Sequence, residues 1–114
     1  MTKFIYQCEL DTDQALEYFE RAVALFSADG KFGSAGKVLL NSAEMVEVEG
    51  REQQARDLYK RASDMFDLDE HGKSKFTECI LKYADYVSKE GQLNEAIEIY
   101  EREGEKALES DENI

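Results

Sequence analysis

Three alanines, Ala15, Ala55 and Ala96, recur at intervals of about 40 residues, and each is followed four positions later by an aromatic ring, Phe19, Tyr59 or Tyr100. A glycine stands ahead of the second and third copies, at Gly50 and Gly91. The intervening segments echo one another as well: Leu40 and Ala43 before Gly50 match Leu81 and Ala84 before Gly91. A period of this length, with both halves recurring, belongs to stacked two-helix units. It predicts an all-α chain of antiparallel helical hairpins in a tetratricopeptide-like right-handed solenoid. Such a stack usually presents a surface rather than making or breaking bonds.

The apolar spacing places the helices. Asp11, Thr12 and Asp13 form an N-cap cluster, and a helix follows from Asp13 to about Ala28 with Ala15, Tyr18, Phe19, Ala22, Leu25 and Phe26 inward. Gly30 ends it. The second helix runs from about Lys31 to Glu49 on a stripe of Phe32, Ala35, Leu39, Ala43 and Val46, and stops at Gly50. The third runs from about Glu52 to Phe66. Asp67 to Gly72 is a polar connection, and a fourth helix follows to Glu90 with Phe76, Ile80, Leu81, Ala84 and Val87 on one side. The fifth covers about Gln92 to Glu109, with Gly104 expected to weaken its second half. Phe4, Ile5 and Tyr6 read as the last turns of a helix without its partner, and Ile97, Tyr100 and Leu108 also call for another helix. Residues 1–114 thus read as one repeat domain of about two and a half units, near the lower limit for a stable stack. Uncovered ends imply self-association through one or both of them.

Composition narrows the function. The chain has no proline to break its helices, and no window approaches a membrane-spanning run. Cys8 and Cys79 read as reduced core residues. The formal net charge of -12 argues against nucleic-acid binding. Half of that charge falls in residues 92–114, which hold eight acids and two bases. Lys31, Lys37, Lys73, Lys75 and Lys82 fall mostly on the second helices of the repeats, so a local basic surface can coexist with an acidic total.

Motifs for catalysis are lacking. No nucleotide-binding loop or nucleophile elbow occurs, and His71, the sole histidine, has no nucleophile beside it. Asp67, Asp69, His71, Gly72 and Glu78 fall at positions one, three, five, six and twelve of a calcium-binding loop. An imidazole at position five, Ser74 at eight and Lys75 at nine argue against a cation there. The stretch reads instead as a polar turn, and neither metal nor cofactor is expected.

Three strings match a known family. Arg21-Ala22 leads to Gly30-Lys31-Phe32, Ala35-Gly36-Lys37 and Ala43-Glu44. Cys79 to Tyr86 reads Cys-Ile-Leu-Lys-Tyr-Ala-Asp-Tyr, and Ala96 to Gly104 reads Ala-Ile-Glu-Ile-Tyr-Glu-Arg-Glu-Gly. Together they resemble the middle of the soluble NSF-attachment proteins, the SNAPs, with the alpha/beta type fitting better than the gamma type. The resemblance implies a non-catalytic adaptor in vesicle-mediated and ER–Golgi protein transport, cytoplasmic and peripheral at membranes. It would bind the SNARE complex and recruit the NSF ATPase. It assigns Lys37, and more weakly Lys82, to the surface that meets the acidic bundle. A third basic position of the family is Glu78 here, for which Lys73 and Lys75 are the candidate replacements. The family's membrane-contacting N-terminal loop and its ATPase-contacting acidic region are not identifiable in these 114 residues. The alternatives are a general tetratricopeptide-like module that binds a peptide, and a small enzyme or metal-binding protein. Binding to an assembled SNARE bundle rather than to loose peptides separates the first two, and turnover or a stoichiometric metal would mark the third.

Overall fold

The computed structural model describes residues 12–112, which form five helices: α1 (Thr12–Ala28), α2 (Phe32–Val48), α3 (Glu52–Asp67), α4 (Lys73–Lys89) and α5 (Leu93–Glu112). Phe4, Ile5, Tyr6 and Cys8 lie outside the described residues. Each helix packs on the next in chain order, and no strand occurs among the described residues. This is the expected stack of antiparallel helical hairpins.

Three of the four turns are built alike, and glycine explains why. Gly30, Gly50 and Gly91 have φ of 76°, 80° and 88°, a region closed to most side chains. In each turn the residue after the glycine donates its N–H back into the helix just ended: Lys31 to Phe26 at 2.8 Å, Arg51 to Val46 at 3.0 Å and Gln92 to Val87 at 2.9 Å. This is the Schellman closure, which satisfies carbonyls that the helix end leaves orphaned. The α3–α4 turn differs. It is longer, and a Cβ on Gly72 would meet the Phe66 carbonyl oxygen at 2.2 Å, so only glycine fits beside the end of α3.

The alanine columns let the helices approach. Ala35, Ala43, Ala55 and Ala62 are wholly buried, among Leu39, Val46, Tyr59, Phe66, Cys79 and Tyr86. A Cβ on Gly36 would stand 2.9 Å from the Phe66 ring, so α2 and α3 are in backbone-to-ring contact there. A smaller cluster of Ile80, Ala84 and Ile99 joins α4 to α5.

Two details depart from the periodicity. Gly104 does not interrupt α5, which is continuous to Glu112. Tyr18 and Leu25, placed inward by spacing alone, are 68% and 71% exposed. They share α1 with Val23, which is buried, but point to a side that no described helix covers. Helical spacing identifies an apolar face; it does not supply the neighbour.

Candidate interaction surface

The candidate lysines all stand on the even-numbered helices. Lys37 is in the second turn of α2, exposed, with no carboxylate paired to it among the described residues. Gly36 beside it is held against Phe66, which fixes the backbone from which Lys37 projects. Lys73 opens α4 and is also exposed. Lys75 pairs with Glu78 at 3.3 Å, so its charge is already matched by a carboxylate of its own helix. The Lys37 turn and the Lys73–Lys75 turn share one end of the stack, because Phe66 touches both Gly36 and Gly72.

Lys82 is differently placed. Its Nζ lies 3.1 Å from a Glu47 carboxylate oxygen and 5.4 Å from the centre of the Tyr59 ring. Its charge is thus partly spent inside the protein, about ten residues and about 15 Å along α2 from the Lys37 turn.

Glu47 is the centre of this second region. The Tyr59 hydroxyl donates to its Oε1 at 2.9 Å, and the Tyr86 hydroxyl donates to its Oε2. The two rings stack with centroids 6.1 Å apart. One carboxylate of α2 thereby joins α3 and α4. Burial pushes the Glu47 carboxyl up, but the hydrogen bonds from Tyr86, Lys82 and Tyr59 outweigh it, so its pKa falls below the ordinary 4.5. Burial, then the bond to Glu47, raises both tyrosine hydroxyls well above their usual range. A cleft of about 260 Å³ opens beside this cluster, lined by Lys82, Lys89, Asp85 and Tyr100 among others.

Lys89 was not singled out by sequence reasoning. Its Nζ lies 5.4 Å from the centre of the Tyr86 ring, on the exposed side of α4. The signal was available: Lys75, Lys82 and Lys89 recur every second turn and so share a face. Glu47 was missed because its partners are remote in sequence.

The remaining candidates for chemistry do not converge. His71 is almost fully exposed, with Glu70 3.9 Å away. The Asp69 carboxylate is held against Gly33 on α2, and Glu78 is engaged by Lys75. Among the described residues no three potential metal ligands come together, and no helix is long and apolar enough to cross a membrane. Cys79 is buried and free, and burial, with Glu78 adding, pushes its thiol up to about 12, away from reactive thiolate.

Comparison with known proteins agrees with this architecture. The family described as "Soluble NSF attachment protein, SNAP" matches residues 4–112. The alpha-soluble NSF attachment protein of Vitis vinifera is 32% identical over 95 residues, covering 83% of this chain and 32% of its own length. Those of Mus musculus and Homo sapiens are each 31% identical over 101 residues, covering 88% of this chain and 34% of theirs. The chain thus spans about a third of the length of these relatives. No solved structure is significantly similar to it. With nearly its whole length matched, the chain belongs to the soluble NSF attachment protein family.

Proposed function

We propose that this chain is a non-catalytic helical adaptor that lies along the acidic SNARE bundle and links it to the NSF ATPase in vesicle-mediated transport. It acts in the cytoplasm and peripherally at membranes, the ER–Golgi route included. Residues 1–114 serve as one tetratricopeptide-like domain of about two and a half repeats. The observation that carries the reading is the family match over residues 4–112, joined to an exposed, unpaired Lys37 at the matching string. Lys37 is the principal SNARE contact, with Lys73 beside it at the same end. Lys82 and Lys75 contribute less, because each already faces a carboxylate of its own chain. Contact with NSF draws on residues beyond this third of the relatives' length. At high concentration copies of the isolated chain associate through the apolar side chains left open at one or both of its ends.

Lys37→Glu tests the assignment. An exposed charge contact supplies only about 0.5–1 kcal/mol, but reversal also sets like charge against an acidic bundle. The substitution should weaken binding to assembled SNARE bundles several-fold, chiefly by slowing association, and the loss should shrink in high salt. Thermal stability should barely change. Lys60→Glu on α3 is the control for net charge. Equal losses from both substitutions, measured by surface-based kinetics, would remove Lys37 from the site.

A further inference from the structure

Lys82 and Lys89 stand two turns apart on one face of α4 and line the same cleft. Each holds its Nζ 5.4 Å from the centre of a tyrosine ring, Tyr59 for Lys82 and Tyr86 for Lys89. Those two rings stack on each other. One difference separates the lysines. Lys82 meets a carboxylate of its own chain, Glu47 of α2, at 3.1 Å, whereas Lys89 meets none among the described residues.

Glu47 is not free to turn aside. Its Oε1 accepts from the Tyr59 hydroxyl and its Oε2 from the Tyr86 hydroxyl, so bonds from α3 and α4 hold both oxygens. The partner that can move is Lys82. Its side chain is 42% exposed and ends in a compact charge on a flexible stem. If Lys82 swings away, Glu47 keeps both tyrosine hydroxyls, so no orphaned carboxylate is left behind.

From this contrast we propose that Glu47 is a built-in competitor for Lys82, and that an acidic partner gains Lys82 only by displacing it. This rests on the proposed contact with an acidic bundle, to which it adds the residue that decides how far Lys82 takes part. An exposed ion pair is worth little, so exchanging one such pair for another leaves almost no gain. Without the Glu47 charge nothing is given up, and Lys82 adds its full contribution. The acid thereby sets how strongly this part of α4 responds to negative charge, a restraint of the kind that separates a fitting partner from any acidic one.

A double-mutant cycle on binding to the assembled SNARE bundle provides the test, with the unsubstituted chain, Lys82→Ala, Glu47→Gln and the double variant compared by surface-based kinetics. Lys82→Ala should weaken binding at most about twofold in the unsubstituted chain, but about two- to fivefold in the Glu47→Gln background. Glu47→Gln alone should tighten binding about two- to fivefold, chiefly through faster association, and Lys82→Ala should cancel that gain. Glu44→Gln is the control for net charge, because Glu44 is exposed one turn away on α2 and pairs with no lysine among the described residues. It should give a smaller gain, and one that Lys82→Ala does not cancel. A gain from Glu47→Gln that survives Lys82→Ala, one matched by Glu44→Gln, or no gain would each overturn the proposal. Should Glu47→Gln fail to fold, Lys82→Ala still decides: a loss of more than about twofold from it alone would show Lys82 already free to bind. If the unsubstituted chain does not bind the bundle at all, the proposed function falls and this inference with it.

Discussion

Glu47 shows how much one side chain can organise. It accepts from Tyr59 and Tyr86 and faces Lys82, so a single carboxylate holds three helices in register. Because its pKa is depressed on folding, its contribution is present above the ordinary value of 4.5 and is lost as pH falls through the folded value. Glu47→Gln keeps the shape but not the charge. Its partial exposure moderates the loss, which we expect to be about 1 kcal/mol at pH 7. The gap to the unsubstituted chain should close as pH drops below 4.5, because protonation makes the two side chains nearly equivalent. Urea melts at a series of pH values measure this. A gap that is as wide at pH 3 as at pH 7 would show that the charge is irrelevant and only the shape matters.

At the scale of the element, α5 is the helix whose own sequence works against it. A glycine inside a helix costs about 0.5–1 kcal/mol relative to alanine. Gly50 and Gly91 earn their place through positive φ, and Gly36 and Gly72 through close contacts; Gly104 has neither. Gly104→Ala should therefore stabilise the chain by about 0.5–1 kcal/mol in denaturant titration. Were it instead to destabilise, the space beside Gly104 would have to be filled.

Across the whole molecule, stability should be graded along the stack. α3 is packed on both sides, by α2 and α4, whereas α5 rests on α4 alone. In a solenoid each unit draws stability from its neighbours, so a helix with one neighbour opens before a helix with two. Native-state hydrogen exchange should find the slowest amides in α3 and rates approaching solvent in the second half of α5. Uniform protection from α1 to α5 would mean that the stack opens only as one unit.

The sequence determined what depends on neighbours along the chain. Gly30, Gly50 and Gly91 end their helices because a positive φ is a local property, and the alanine columns mark close helix contacts because helical spacing is local too. The three strings that resembled the SNAP family were legible for the same reason, as was the exposure of Lys37. Whether an apolar face has an occupant was not legible. Tyr59 and Tyr100 hold the same place in the same motif, yet one is buried and the other is open, because α4 covers α3 and no described helix covers α5 in that way. Likewise nothing local marked Glu47 as the acceptor for Tyr86, or Lys82 as half spent on Glu47. Periodicity gives each side chain a direction, but only packing in three dimensions decides what it meets there.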